Sequence, residues 1–115
     1  MANDFKNAIA QNVSNSAGGT TIYTTPATKT SIMLELDIAN TTTSVIEASV
    51  EVLDSSVSAS AWRYLVKNAP VPTGGSVMVI AGQKIVLEAG DKVRVTSSAA
   101  SSMDVVAAIL EDVNS

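Results

Sequence analysis

The chain has 115 residues, which is a common length for one domain and enough to bury a core without a metal or a disulfide. It has no Cys and no His, which excludes thiol chemistry and every role of an imidazole. The net charge is −4 and the seven basic residues are scattered, so no basic stripe is present to bind nucleic acid. The apolar runs are too short for a membrane span and the N-terminus lacks the pattern of a signal peptide. We therefore expect a protein that is made and used in the cytosol, or that is assembled into a larger structure there.

Residues 1–19 are predicted to form an extended arm outside the folded domain, because they are rich in Asn, Ala and Ser and end in a Ser/Gly segment. Phe5, Ile9 and Val13 recur every four residues, so a short amphipathic helix is the alternative. An isolated arm cannot recover the conformational entropy that its ordering costs. We therefore expect the three apolar side chains to dock on a neighbouring subunit.

Residues 20–115 are predicted to fold as one β-domain, because apolar and polar residues alternate with the period of two that is typical of strands. Eight strands are expected, over residues 20–25, 32–39, 46–52, 61–67, 76–80, 85–87, 92–95 and 103–111. The second has the clearest pattern, with one buried face that consists of Ile32, Leu34, Leu36 and Ile38. Pro26 ends the first strand and favours a sheet edge for it, so Ile22 and Tyr23 are expected near that edge.

Three turns set the predicted order of these strands. The clearest is at residues 89–91, where Gly90 tolerates a positive φ and Asp91 can bond to nearby backbone. The sixth and seventh strands, which it joins, are therefore expected to pair as an antiparallel hairpin. A turn at residues 81–83 separates the fifth strand from the sixth, and a turn at residues 40–43 places the second and third strands side by side.

The spacing of these strands is typical of an antiparallel β-sandwich, with either a jelly-roll or an immunoglobulin-like topology. Fifteen Val and only 3% aromatic residues predict an aliphatic core. The last strand is apolar on both faces, which is expected of a central strand or of one covered by a partner. Its outer residues Val106, Ala108 and Leu110 are therefore candidates for a subunit surface.

No catalytic arrangement is recognisable in the sequence, so we expect no enzyme activity and no cofactor. None of the fifteen Ser has an activating base at a suitable spacing. Two acidic pairs offer oxygen ligands for a hard cation such as Ca²⁺: Glu35 with Asp37, and Glu47 with Glu51. The favoured interpretation of these carboxylates is the solvated face of a sheet.

Trp62 and Tyr64 share one face of the fourth strand. Such an aromatic pair can stack on a sugar, as in carbohydrate-binding sandwiches. A single Trp in a small domain more often fills a core or an interface, so both residues are treated as interface candidates. Sugar binding is kept as an alternative function.

Seven segments of the chain share the pattern of one known group of proteins, at residues 6–13, 21–24, 64–72, 74–76, 83–87, 88–91 and 95–98. The longest reads Tyr-Leu-Val-Lys-Asn-Ala-Pro-Val-Pro at residues 64–72. In these segments the chain resembles small structural proteins of tailed bacteriophages that are common among aquatic phages. The resemblance covers nearly the whole chain, but the loop at residues 54–61 is longer and richer in Ser than the pattern.

The resemblance implies a virion protein that is assembled in the host cytoplasm and carries no catalytic motif. Its first implied role is a capsid decoration, or cement, protein that forms a homotrimer and binds the major capsid protein or other virion proteins. A tail or neck component is the second, and neither nucleic acid nor a membrane is expected as a partner. Ten residues are candidates for the protein contacts: Phe5, Ile9, Val13, Ile22, Tyr23, Trp62, Tyr64, Val106, Ala108 and Leu110.

Overall fold

The computed structural model describes residues 4–16, 18–58 and 60–111, with the backbone alone at residues 4 and 81–83. The described segments contain eight β-strands and no helix: β1 (Asp4–Ala10), β2 (Thr20–Thr24), β3 (Ser31–Asn40), β4 (Ile46–Leu53), β5 (Trp62–Val71), β6 (Ser76–Leu87), β7 (Lys92–Ser97) and β8 (Met103–Glu111). None of these segments forms a helix that is long and apolar enough to cross a membrane. The all-β prediction is confirmed.

The strands form two four-stranded antiparallel sheets that make a sandwich. The β1 sheet has the order β1-β8-β3-β6, and the β2 sheet has the order β2-β7-β4-β5. Only the connection from β4 to β5 stays within one sheet, and every other connection between consecutive strands crosses to the opposite sheet. This double Greek key is a jelly roll, so the immunoglobulin-like alternative is wrong.

Inward-facing aliphatic side chains of both sheets make the core. On β3 these are Met33, Leu36 and Ile38, all fully buried, and Val93 and Val95 of β7 join the same cluster from the other sheet. Burial alternates along the strands because successive side chains point to opposite faces of a sheet. The largest fully buried side chains are Met, Leu, Ile and Val, as the composition predicts.

Residues 4–10 form neither a free arm nor a helix but the edge strand of the β1 sheet. β1 pairs antiparallel with β8 along its whole length, which satisfies backbone groups within the same chain. Ala8 and Ala10 pack against the core. Val13, predicted to dock on a neighbour, is fully buried in that core, and its N–H donates to the carbonyl oxygen of Met103 at 3.1 Å. A spacing of four equals two strand periods, which is why the helical pattern was ambiguous.

β6 is one continuous strand where the sequence predicts two strands and a turn at residues 81–83. It pairs with β3 on both sides of an irregularity in register, and Lys84 there has a φ of 47°. A bulge bends a strand while pairing continues on either side, so its residues resemble a turn in the sequence. The described residues nevertheless contain eight strands, the number predicted, because β1 adds one strand and β6 combines two.

The turn at residues 89–91 is present, but the strands that it joins do not pair. Gly90 has a φ of 85°, and the N–H of Asp91 donates to the carbonyl oxygen of Glu88 at 2.9 Å. β6 lies in the β1 sheet and β7 in the β2 sheet, so this turn carries the chain across the sandwich. The predicted hairpin is therefore wrong, because turn chemistry shows where a chain reverses and not which sheet it enters.

β3 and β4, which were predicted to lie side by side, also belong to different sheets. Asn40, buried at the end of β3, stabilises this crossing. Its Nδ2 donates to the carbonyl oxygens of Ser44 and Val71 at 2.7 and 3.0 Å. Its Oδ1 accepts from the N–H and the hydroxyl of Thr42 at 2.9 and 2.8 Å. The outward residues of β3 and β4 therefore lie on opposite sides of the molecule.

Candidate protein-binding face

The outer face of the β1 sheet carries two rows of side chains that cross all four strands. In the order β1, β8, β3 and β6, the first row consists of Phe5, Leu110, Ile32 and Val86. In the same order, the second row consists of Ile9, Val106, Asp37 and Met78. Directly opposed side chains have Cβ atoms about 5 Å apart, so each row is continuous. We call the seven apolar members of these rows, together with Ala108, the apolar face.

The large side chains of the apolar face are widely exposed. Phe5 is 78% exposed, Ile9 73%, Val86 62%, Met78 60% and Val106 50%. Eight large hydrophobic side chains are exposed in the described part of the chain, and these five share one face of one sheet. Single exposed apolar residues are normal on a protein surface, whereas contiguous apolar sets are typical of protein or membrane contact sites and ligand grooves.

Two carboxyl groups interrupt the centre of the apolar face. Glu35 and Asp37 lie on β3, opposite Ala108 and Val106 of β8. The pKa of Glu35 is raised, first because its carboxyl group hydrogen-bonds to Asp37 and second because Asp37 is negatively charged. Asp37 Oδ1 is buried, and no group in the described residues donates a hydrogen bond to it. The centre of this face therefore combines negative charge with unused acceptor capacity.

The outer face of the β2 sheet, which we call the polar face, has side chains that are paired with one another. Arg94 donates from Nε and Nη2 to the two carboxylate oxygens of Glu51, at 3.0 and 3.1 Å. Its guanidinium lies 3.8 Å from the centre of the Trp62 ring, and Lys67 Nζ lies 5.3 Å from that of Tyr64. The charges of Arg94 and Glu51 are therefore paired with each other, and the Trp62 ring is covered by the guanidinium.

A groove of about 370 Å³ lies on the polar face. Its lining includes Ser49, Tyr64 and Asn68 as well as the Arg94–Glu51 pair. The backbone N–H of Asn68 donates to Ser49 Oγ at 3.0 Å, which joins β4 and β5 beside the groove. The groove is thus lined by one aromatic ring and by hydroxyl, amide and charged groups.

A buried carboxylate joins the two sheets at one end of the sandwich. Glu111 of β8 forms an ion pair with Lys6 Nζ at 2.8 Å and accepts a hydrogen bond from the Tyr23 hydroxyl of β2 at 2.5 Å. The Lys6 contact, followed by the Tyr23 contact, lowers the pKa of Glu111. Burial, followed by the bond to Glu111, raises the pKa of Tyr23 to about 12. Tyr23 therefore belongs to a junction between the sheets, and Ile22 packs beside it against the core.

The carboxylates that the sequence offers for a hard cation lie on two sheets, with Glu35 and Asp37 on β3 and Glu47 and Glu51 on β4. They form no common site. A different trio, Asp54, Glu88 and Asp91, has carboxylate oxygens within 4.8 Å of one another. The oxygens of Asp91 accept hydrogen bonds from the N–H and Oγ of Ser55 and from the N–H of Glu88, so the buried member of this trio holds two loops together.

Five of the ten predicted interface residues lie together on the apolar face: Phe5, Ile9, Val106, Ala108 and Leu110. The other five lie elsewhere, because Val13, Ile22 and Tyr23 contribute to the core or pack against it, while Trp62 and Tyr64 lie on β5 in the β2 sheet. Tyr64 is the more exposed of that pair, since Arg94 covers the Trp62 ring.

The sequence reasoning missed the contributions of β3 and β6 to the apolar face. A shift of register between Met33 and Glu35 changes which side chains of β3 point inward. Ile32 therefore faces outward although Leu36 faces the core, because a one-residue shift moves side chains to the other face of a sheet. Met78 and Val86 join the face only through the pairing of β6 with β3, which no local signal in the sequence reports.

No protein-family model and no curated protein matches this sequence. Among solved structures, the chain is similar to a chain in the structure of infectious bursal disease virus Gt strain, with 13% sequence identity and a TM-score of 0.42. The match covers 95% of this chain and 35% of that chain. In the part of the chain that the structure describes, the fold and the surface define a jelly-roll domain of eight strands with an exposed apolar face on one sheet.

Proposed function

We propose that this protein is a structural component of a bacteriophage virion and acts as a capsid decoration, or cement, protein. The observation that carries the proposal is the apolar face, where five exposed large side chains lie on one side of a sandwich. A contiguous surface of this kind suits protein–protein contact. The resemblance of seven sequence segments to small structural proteins of tailed phages supports the same role.

A decoration protein acts by mass action, because every copy that bridges neighbouring subunits adds its binding free energy to the assembled shell. A standard protein interface buries about 800 Å² on each partner. Four strands span about 14 Å from the first to the last, so the apolar face supplies the apolar centre of such an interface. The surrounding loops then supply its polar rim.

The proposal includes a homotrimer as the assembled form and the major capsid protein as the partner, with a tail or neck position as the second choice. Each sheet ends in two edge strands, β1 and β6 in one and β2 and β5 in the other. Edge strands carry unpaired backbone groups that a second copy can use. Size-exclusion chromatography with light scattering measures the assembly state, and a monomer at tens of micromolar contradicts the trimer without contradicting shell binding.

Catalysis is not part of the proposed function. The sequence has neither His nor Cys to serve as a base, a nucleophile or a metal ligand. The two acidic pairs that the sequence offers lie on different sheets, which face opposite sides of the molecule. In the acidic trio at residues 54, 88 and 91, the buried member is already hydrogen-bonded to two loops. The proposal therefore rests on binding alone and includes no cofactor.

The polar face supports carbohydrate binding as a second candidate function. Its groove places Tyr64, which is 52% exposed, beside the polar side chains of Ser49 and Asn68. An aromatic ring next to hydrogen-bonding groups is a suitable composition for a sugar site. Binding on a glycan array that is lost in Tyr64→Ala and retained in Val106→Ser would favour this function over the decoration role.

Mass spectrometry of purified virions of the source phage tests the proposed function. We expect the protein among the virion components, in a copy number comparable to that of the major capsid protein. Recombinant protein should rebind capsids from which it has been stripped, and the double variant Val106→Ser/Met78→Ser should bind more weakly than Glu47→Gln, a control on the β2 sheet. Absence from the particles would contradict the proposal, and recovery in tail fractions alone would favour the second position.

A further inference from the structure

We infer that the apolar face binds a protein surface of complementary composition, in which apolar side chains surround a Lys or Arg that pairs with Glu35 and Asp37. The inference rests on the proposed function and deepens it, because it names the chemistry of the partner at the same face. The partner is thus a protein other than a second copy of this chain.

The register of the β1 sheet places the two carboxyl groups among apolar side chains. Asp37 lies between Val106 and Met78 in its row, and Glu35 lies opposite Ala108 between the two rows. β3, which carries both groups, is an inner strand of the sheet. A partner that covers the apolar face therefore covers these carboxyl groups at the centre of the contact and not at its rim.

Apolar groups alone are a poor cover for this centre. A carboxylate that loses water without gaining a partner is strongly unfavourable. Asp37 Oδ1 is already buried without a hydrogen-bond donor among the described residues. A Lys or Arg side chain supplies the missing donors, and the planar Arg fork can serve two carboxylate oxygens at once.

The electrostatics of the free protein agree with this partner. The pKa of Glu35 is raised by its hydrogen bond to Asp37 and by the charge of Asp37. The mutual repulsion of two carboxyl groups is relieved by a shared proton or by a nearby cation. A cation from the partner would relieve this repulsion at the apolar face.

Other occupants fit the apolar face less well. Two copies of the chain packed about a central two-fold axis would bring four carboxyl groups together, and like charges in contact oppose association. An anionic lipid surface is repelled by the same pair, because its own potential is negative. A cationic and apolar protein surface has neither disadvantage.

Peptide binding to the full-length protein, followed by NMR, tests the inference. Three capped heptapeptides alternate Leu with Lys, with Ser or with Glu, and the ¹⁵N-labelled protein reports which amides shift. We expect the Leu/Lys peptide to shift amides of β8, β3 and β6, and to bind roughly fivefold more tightly than the Leu/Ser peptide. The Leu/Glu peptide should not bind at millimolar concentration.

Two double variants separate the local acidic pair from the overall charge of the protein. Glu35→Gln/Asp37→Asn and the control Glu47→Gln/Glu88→Gln each remove two negative charges, and only the first pair lies on the apolar face. The first should weaken binding of the Leu/Lys peptide roughly fivefold, to the level of the Leu/Ser peptide, and the control should retain it. Equal weakening in both variants, or shifts confined to the β2 sheet, would overturn the inference.

A third variant keeps the carboxyl groups and tests the apolar part of the face. Val106→Ser/Met78→Ser should also lose affinity for the Leu/Lys peptide, and unchanged affinity would overturn the inference. Light scattering on the same samples reports self-association, and a dimer that this variant dissociates would assign the face to a second copy instead. The peptide assay needs no virion, so the protein can fail this test while being a virion component, or pass it while being absent from virions.

Discussion

The two outer faces of this sandwich share one scaffold and have opposite chemistry. On the β2 sheet, Arg94 is paired with Glu51 and stacked on Trp62, so the main charged group of that face already has its partners. On the β1 sheet, five large apolar side chains are exposed around an acidic pair that lacks a cation in the described residues. What separates the faces is whether their side chains are satisfied within the chain, because only an unsatisfied surface gains free energy from a partner.

The contrast has a simple origin in the strands that lie at the centre of each sheet. β8 carries apolar residues on both of its sides. Val106 and Leu110 point outward, and Val105 and Ile109 point into the core. β7 alternates buried Val with outward Lys, Arg and Thr. The polar side chains on the outer side of β7 can be solvated by water. The outer side of β8 instead leaves apolar area exposed.

The largest predicted effect compares the two sides of β8. Ile109→Ala removes a side chain that is 1% exposed, and we expect the free energy of unfolding to fall by about 2–5 kcal/mol, because buried apolar area is lost and a cavity remains. Val106→Ala on the outer side should change it by no more than about 0.5 kcal/mol. Urea denaturation followed by Trp62 fluorescence measures both. Equal destabilisation would show that the outer side is not a free surface, and the contrast between the faces would then fail.

The second effect concerns the junction that fixes the two sheets relative to each other. Tyr23→Phe removes the hydroxyl that donates to buried Glu111. We expect the free energy of unfolding to fall by about 1.5–3 kcal/mol, because the acceptor, the Glu111 carboxylate, is charged. Tyr64→Phe on β5 is the matched control and should cost much less.

The same variant predicts a dependence on alkaline pH. The pKa of Tyr23 is 10.0 ordinarily and about 12 in the folded protein, so its stabilisation is fully present below pH 10 and is lost as the pH rises through about 12. The difference in stability between wild type and Tyr23→Phe should therefore be constant up to pH 10 and then narrow. Urea titrations from pH 8 to 12 measure this difference, and a constant difference over the whole range would contradict the role given to Tyr23.

Much of the fold follows from the sequence, and the exceptions have identifiable causes. The period of two predicts an all-β sandwich and most of the strand positions, since it reflects burial on one side of a sheet. It does not show which sheet receives each strand, because Gly90 and Asn40 form turns that suit a hairpin and a crossing equally well. The topology, and with it the separation of Glu35 from Glu51, depends on long-range pairing that local patterns do not encode.

Only part of the apolar face could be predicted from the sequence, because the rest of it depends on long-range strand pairing. The sequence of β8 is apolar on both sides, which predicts the outward-facing residues Val106, Ala108 and Leu110. Phe5 and Ile9 were chosen for a helical spacing that the strand period also satisfies. Ile32 was placed in the core because the register shift in β3 has no signature in its alternating sequence. Only the structure therefore shows that Glu35 and Asp37 lie at the centre of an apolar face.

The third effect tests whether the polar face is satisfied by its own side chains. Arg94→Ala leaves Glu51 without its ion-pair partner and uncovers the Trp62 ring, and we expect a loss of about 1–2 kcal/mol, since both side chains of the pair are mostly buried. Trp62 emission should shift to the red as water reaches the ring. Lys67→Ala, which removes a longer contact to Tyr64, serves as the control and should have a smaller effect. An unchanged emission spectrum in Arg94→Ala would contradict the stacking.

The smallest effect on stability carries the most information about function. Val106→Ser/Met78→Ser alters two exposed side chains of the apolar face, and we expect the free energy of unfolding to change by no more than about 0.5 kcal/mol per substitution. If the proposed function is right, binding to capsids should fall strongly in the same variant, because the apolar contact would form only in the complex. Urea denaturation and capsid binding, measured on one preparation, give the two quantities. A variant that loses stability and binding together would mean that the face serves the fold, whereas loss of binding alone separates the function of the face from the stability of the sandwich.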